Sequence, residues 1–252
     1  SWNSYDTGPH RDLLGELTKS VKNSGLKMGI YYSIPDWESI PRKKDFSEYY
    51  IREEFVNEYG LSPETYRDEV LLPQLKELVE NYKPSLIFSD AGEWLYDDTF
   101  WKTKEFLSWL YSKSPVKNEV VVNDRWCKGM PGNYGDYFSS EYKDARVDKL
   151  RKPWEESRGI GGSYGFNRAE NAEDYSSSEE LIIELTDIVS RGGNLLLNVG
   201  PTADGRIPVV MQERLLEIGD WLDVNGEAIY GTRKHSVSSI KDENQHLYFT
   251  SK

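Results

Sequence analysis

Short apolar runs alternate along the chain with segments in which apolar residues recur every three or four positions. Four runs of strand length cover residues 27–33, 85–90, 119–124 and 194–199, and residues 137–142 form a weaker candidate. Nearly continuous apolar runs of this length are typical of parallel strands that are buried on both faces. We therefore expect a parallel sheet with helices on either side.

Helix-forming signals separate these runs. Apolar faces with helical spacing begin near Leu13, Ser62, Ser178 and Met211. Pro63 stands at the first helical position after a serine N-cap, and Gly192 begins the glycine pair that ends the third face. Strands that alternate with helices indicate an α/β fold, and strand ends rich in polar residues favour a (β/α)8 barrel of the TIM type over an open sheet.

The regular alternation stops in two places. Residues 125–153 are rich in Gly, Lys and Tyr with little helical period, which predicts long loops around one short strand. Beyond Gly231 the residues are typical of the start of a small β unit. We therefore predict a barrel domain over residues 1–231 and the beginning of a second, β domain over residues 232–252.

Charge and composition narrow the classes of partner. The chain carries 43 acidic against 31 basic residues, a net charge of −12, whereas a nucleic-acid-binding surface needs clustered Lys and Arg to neutralise phosphates. No apolar run in the sequence approaches the roughly 18 residues that a membrane-spanning helix requires. We expect neither a nucleic acid nor a membrane as a partner.

Residue types and spacings exclude most catalytic classes. The three histidines do not pair at metal-ligand spacing, and the single Cys127 excludes an internal disulfide and a CxxC metal site. The sequence contains no GxSxG nucleophile elbow, no Walker motif and no dinucleotide glycine motif. We therefore predict no metal and no cofactor, and carboxylates remain as the well-supplied catalytic groups.

One carboxylate follows a predicted buried strand directly, in the stretch PSLIFSDAGEW at residues 84–94. In a parallel barrel the chemistry collects at the C-terminal ends of the strands, where Asp90 falls. Such an aspartate can attack a glycosidic carbon if a second carboxyl group lies about 5–5.5 Å away, and Asp124, Glu141 and Glu155 are the candidates. A strand-end aspartate can equally cap the following turn, so Asp90 alone decides nothing.

Five blocks of sequence point to one family. They cover residues 2–13, 29–37, 84–94, 106–126 and 192–230. In these blocks the chain resembles the α-L-fucosidases of glycoside hydrolase family 29, particularly the animal tissue-type enzymes. The resemblance implies a TIM-type barrel followed by a β-sandwich. It also implies a retaining exo-glycosidase that removes terminal α-linked L-fucose from glycoproteins, glycolipids or oligosaccharides, so fucosylated glycans are the expected partners.

The resemblance also implies the roles of individual residues. Asp90 matches the family's nucleophile, and Glu141 best matches its acid/base residue, with Glu155 as the alternative. Arg125 matches an arginine that holds the sugar. The partner of Asp90 is expected at Glu141 rather than Glu93, because an acid three positions along the same loop is poorly placed to reach the leaving group.

Aromatic residues of the same blocks complete the expected sugar pocket. Tyr31 or Tyr32 matches a tyrosine that lines the pocket, while Phe88 and Trp94 are expected to pack against the sugar; each can equally be ordinary barrel packing. Phe88 stands where the family generally has Trp. Ala91 makes the SDAGEW motif one residue longer than the family's SDGEW, with Asp90 expected to keep its register.

The resemblance leaves part of the family pattern unmatched. Members of the family carry their first barrel strands, with a paired-histidine segment, ahead of the block that begins this chain. We therefore expect a portion of a longer protein that lacks the N-terminal part of the barrel, and either a homo-oligomer or association with that portion. A lysosomal or secreted location is expected. The competing hypothesis is a non-catalytic fucose-binding protein with the same fold.

Overall fold

Three parallel strands form the sheet of the first part of the chain. In the computed structural model, which describes residues 3–35, 62–142, 152–243 and 245–252, they are β1 (Gly29–Ser33), β2 (Leu86–Asp90) and β3 (Val121–Val122). Strand β2 lies between the other two, and Ser33 pairs with Asp90 at the carboxyl ends of β1 and β2. The predicted strands at 27–33 and 85–90 are confirmed, and the run at 119–124 forms a strand of only two residues.

Helices cover this sheet. They are α1 (Leu13–Asn23), α2 (Pro63–Thr65), a π-helical turn (Tyr66–Leu71), α3 (Leu72–Tyr82), α4 (Gly92–Leu95), α5 (Asp98–Trp101) and α6 (Thr103–Ser112). Ser62 caps α2 by accepting a hydrogen bond from the backbone N–H of Thr65, as its position before a proline predicts. The core between sheet and helices contains Val79, Ile87, Leu110 and Val122 among its fully enclosed side chains.

A second set of parallel strands follows. The strands are β4 (Phe138–Glu141), β5 (Trp154–Gly159) and β6 (Asn194–Asn198), with β5 in the middle. The helices are α7 (Ser178–Ser190) and α8 (Val209–Asn225), and two short 3-10 helices span Ala172–Asp174 and Gly226–Ala228. Strand β5 is not predicted from its sequence, WEESRG, because its polar side chains hide the strand pattern.

The chain ends in an antiparallel hairpin of β7 (Arg233–Lys241) and β8 (His246–Ser251). Contacts divide the chain into two compact units, residues 1–137 and 138–252, and the hairpin belongs to the second. The hairpin begins one residue after the predicted start of a β domain at residue 232, and both that boundary and a separate domain stay predictions. Among the described residues, no helix is long and apolar enough to cross a membrane.

Candidate active site

Asp90 is the last residue of β2, and two side chains hold its carboxylate. The Tyr31 hydroxyl donates a hydrogen bond of 2.7 Å to Oδ2. The Arg125 guanidinium donates from Nη1 to Oδ1 at 3.2 Å and forms an ion pair there. The side chains of Asp90 and Arg125 are only 15% and 9% exposed, so this pair lies largely out of bulk water. The carboxylate is therefore oriented from two sides at a strand end.

The ring of Phe88 forms the floor of this cluster. Phe88 lies two residues before Asp90 on the same strand, so both side chains point to the same face of the sheet. The Tyr31 ring stacks on it with centroids 6.0 Å apart, and the Arg125 guanidinium carbon lies 5.4 Å from its centroid. Burial and the neighbouring Asp90 raise the pKa of the Tyr31 hydroxyl, so it stays a hydrogen-bond donor.

Tyr32 lies on the opposite face of β1. Its hydroxyl donates to Oε1 of Gln74 on α3 at 2.8 Å, and its ring packs against the helix-covered core. Side chains alternate between the two faces of a strand, so only one of two adjacent tyrosines can reach Asp90. The structure places Tyr31 there, and the sugar-binding role predicted for either tyrosine stays a prediction.

A buried amide fixes the strand end that carries Asp90. Asn123 Oδ1 accepts hydrogen bonds from the backbone N–H and the hydroxyl of Ser89, at 2.9 and 2.8 Å. Its Nδ2 donates to the Ser89 carbonyl at 2.7 Å. Both residues are fully buried. Sequence reasoning did not single out Asn123, although an amide inside the apolar run EVVVND is a recognisable signal of a buried polar contact.

The turn after Asp90 is tightly packed. Ala91 is fully buried and adopts the left-handed conformation, with φ of 62°. A Cβ on Gly92 would lie 2.1 Å from the carbonyl oxygen of Trp126, and the indole N–H of Trp101 donates to the Gly92 carbonyl at 3.0 Å. Only glycine allows this approach. Asp90 keeps its register with β1 despite the additional residue, as expected.

Glu93 lies in this same turn, in α4, three residues after Asp90. Its Oε2 atom is enclosed and has no hydrogen-bond partner among the described residues. Burial above all raises the pKa of Glu93 to about 7; the charges of Asp90 and Asp124 raise it further, whereas a backbone hydrogen bond and Arg125 lower it. Trp94, the next residue, is 41% exposed.

The predicted acid/base candidates fall in different places. Asp124 is buried, and its Oδ2 accepts a hydrogen bond from the backbone N–H of Gly132 at 2.9 Å, which anchors a loop of the first unit. Glu141 is the last residue of β4, and Glu155 lies on β5 of the second unit. The geometry therefore gives Asp124 a structural contact, and the roles of the other two stay predictions.

Glu141 and Glu155 share one face of their sheet. Glu155 pairs with Ser139, two residues before Glu141, so the two carboxylates point to the same side. On the opposite face of this sheet, Phe138 and Trp154 pack against α7 in a small hydrophobic core. A parallel sheet thus presents both candidate acids on the side away from its helix.

No group of three or more His, Cys, Asp or Glu side chains suitable for a metal occurs among the described residues. Cys127 is buried, and burial raises the pKa of its thiol.

Comparisons with known proteins show the family of the chain. A family model described as alpha-L-fucosidase matches residues 1–227. Tissue alpha-L-fucosidase of Homo sapiens is 41% identical over 253 residues, which cover 100% of this chain and 52% of that protein. Alpha-L-fucosidase of Dictyostelium discoideum is 45% identical over 245 residues, covering 95% of this chain and 50% of that protein.

Solved structures extend the similarity to the fold. The crystal structure of Thermotoga maritima alpha-fucosidase in complex with a mechanism-based inhibitor matches with a TM-score of 0.75 and 37% identity, over 99% of this chain and 54% of that one. The predicted fold, an α/β barrel of the TIM type that is present in part, is confirmed. The chain spans about half the length of the relatives it matches.

Proposed function

We propose, from the premise that the chain belongs to the alpha-L-fucosidase family, that the protein is a retaining exo-glycosidase. Its substrates would be glycoproteins, glycolipids or oligosaccharides that end in α-linked L-fucose. The observation that carries this proposal is the Asp90 carboxylate, held by Tyr31 and Arg125 at the end of β2. A buried, oriented carboxylate at a strand end is the arrangement that a glycosidic nucleophile requires.

The reaction would proceed in two displacements. In the first, Asp90 attacks the anomeric carbon while the protonated Glu141 gives its proton to the departing oxygen. In the second, Glu141 takes a proton from water, which attacks the fucosyl ester and releases fucose with retained configuration. Tyr31 and Arg125 each occupy one oxygen of Asp90, and these contacts hold the carboxylate in one orientation throughout both steps.

The nucleophile is tested with 4-nitrophenyl α-L-fucoside. Asp90→Asn should lower kcat/KM at least about 1,000-fold, because the amide cannot form the ester. Asp223→Asn, the same change at an exposed position, serves as the control. Azide added to Asp90→Ala should restore turnover and yield a fucosyl azide of inverted configuration. Unchanged turnover in Asp90→Asn would refute the assignment.

The acid/base residue is tested by varying the leaving group. Glu141→Ala should slow fucosides with poor leaving groups far more than the 4-nitrophenyl fucoside, since a good leaving group departs without protonation. Glu155→Ala is measured with the same substrates. The variant whose activity depends on the leaving group identifies the acid/base residue. If only Glu155→Ala shows it, the roles are exchanged.

The competing function is a fucose-binding protein without turnover. The pair of carboxylates at strand ends favours catalysis, because sugar binding alone does not need a nucleophile. Fucose binding by the intact wild-type protein without release of 4-nitrophenol would favour the alternative. We extend the proposal to a lysosomal or secreted location and to self-association; the acidic net charge of −12 is compatible with an acidic compartment.

A further inference from the structure

We propose that Glu93 is a positioning residue for Asp90. As an uncharged acid it leaves Arg125 bound to Asp90, and as a carboxylate it competes with Asp90 for Arg125. The inference rests on the proposed function, because it assigns a consequence to the orientation of the nucleophile. It predicts that ionisation of Glu93 sets an upper pH limit on activity.

The first support is the place of Glu93 in the fold. It lies in α4, three residues after Asp90. Gly92 is pressed against the Trp126 carbonyl and receives a hydrogen bond from Trp101, so the neighbouring carboxyl is held at depth. The enclosed Oε2 atom of Glu93 has no partner among the described residues. A charge there would be poorly solvated.

The second support is the set of charges around it. Among the described residues, Asp90 and Asp124 repel an ionised Glu93 and Arg125 attracts it. The tryptophans at 101 and 126, which contact the turn at Gly92, carry no charge. Arg125 therefore attracts an ionised Glu93, and it is also the cation that holds Asp90.

The third support is the length of the ion pair between Arg125 and Asp90, for which an ionised Glu93 would compete. Arg125 Nη1 lies 3.2 Å from Asp90 Oδ1, whereas charge-assisted N–H···O bonds are usually about 2.7–2.9 Å. A second buried carboxylate can compete for such a contact. Because burial raises the pKa of Glu93 to about 7, the competition begins near neutral pH. Below that pH the acid is neutral and Asp90 keeps its guanidinium partner.

The test is the pH dependence of kcat/KM for the wild type and Glu93→Gln. The amide cannot ionise, so the ratio of kcat/KM at pH 8 to that at pH 5.5 should rise at least about threefold. Glu93→Met, neutral and similar in size, should give the same change if the amide variant folds poorly. Glu80→Gln, at an exposed position of α3, should leave the ratio unchanged.

The direction of the change separates this role from others. Removal of a distant negative charge alone would lower the pKa of the catalytic acid and shift the alkaline limb to lower pH. An unmoved limb, or one moved to lower pH, in both neutral variants would overturn the inference.

A second measurement does not depend on turnover. One infrared band of a protonated carboxyl group should disappear between pH 6 and 8 in the wild type and be missing from Glu93→Gln, whereas the band of the protonated Glu141 should be present in both. If the band disappears as expected while Asp90→Asn keeps full activity, the proposed nucleophile is wrong, but the protonated state of Glu93 is supported. If turnover requires Asp90 but no such band exists, the inference alone fails.

Discussion

The burial of Glu93 makes the stability of the protein depend on pH. Its pKa lies near 4.5 in the unfolded chain and is raised to about 7 in the folded one, chiefly by burial. The folded state therefore binds this proton more tightly than the unfolded state. The associated stability is fully present below pH 4.5, falls as the pH rises from 4.5 through 7, and changes little above that.

The size of the effect follows from the two pKa values. The difference between 4.5 and about 7, at about 1.36 kcal/mol per pH unit, amounts to roughly 3 kcal/mol. Glu93 is only partly buried, and screening by solvent reduces this figure. We expect about 1–3 kcal/mol, which corresponds to a difference in Tm of roughly 3–10 °C for a chain of this size.

Thermal unfolding of the wild type and of Glu93→Gln, measured at pH values from 4 to 8.5, tests this dependence. The stability of the variant relative to the wild type should increase between pH 4.5 and 8, because the amide has no proton to lose. Glu80→Gln, on the exposed side of α3, should follow the wild type at every pH. If the curves of Glu93→Gln and the wild type stay parallel over this range, the burial argument is wrong.

Three further substitutions test the construction of the site. Tyr31→Phe should lower kcat/KM about 10- to 100-fold, since a hydrogen bond to a charged group contributes about 1.5–3 kcal/mol; Tyr32→Phe, on the other face of the strand, should not. Asn123→Ala should lower the free energy of unfolding in urea by roughly 2–4 kcal/mol, because two donors of Ser89 lose their partner; a loss below about 0.5 kcal/mol would contradict this. Gly92→Ala should lower Tm markedly, because its Cβ would lie 2.1 Å from a backbone oxygen; a wild-type Tm would contradict that packing.

The strand ends could be read from the sequence because they depend on local pattern. An apolar run of strand length that stops at a carboxylate needs no tertiary information to be recognised, and Asp90 does close β2. The capping serine at position 62 was predictable for the same reason. Strand β5 was not, because WEESRG acquires its burial from neighbouring strands rather than from its own side chains.

The residues that surround Asp90 could be predicted from the sequence only in part. The resemblance indicated Arg125, and the two tyrosines remained alternatives because adjacent residues of a strand differ only in the face they occupy. The pairing of β1 with β2 decides which tyrosine lies on the same face of the sheet as the Asp90 side chain. In the structure this tyrosine is Tyr31. Asn123 acts through a contact 34 residues away along the chain, which no local pattern contains.

The fold class, the family and the position of the strand-end carboxylate could be predicted without the structure, since periodicity and motif are properties of neighbouring residues. The tertiary structure decided the state of Glu93. Its position three residues after Asp90 can be read from the sequence, whereas the enclosure of its Oε2 atom, beside the close approach of Gly92 to the Trp126 carbonyl, exists only in the folded chain. Burial and charge act through space, so folding raises the pKa of this otherwise ordinary carboxyl group to about 7.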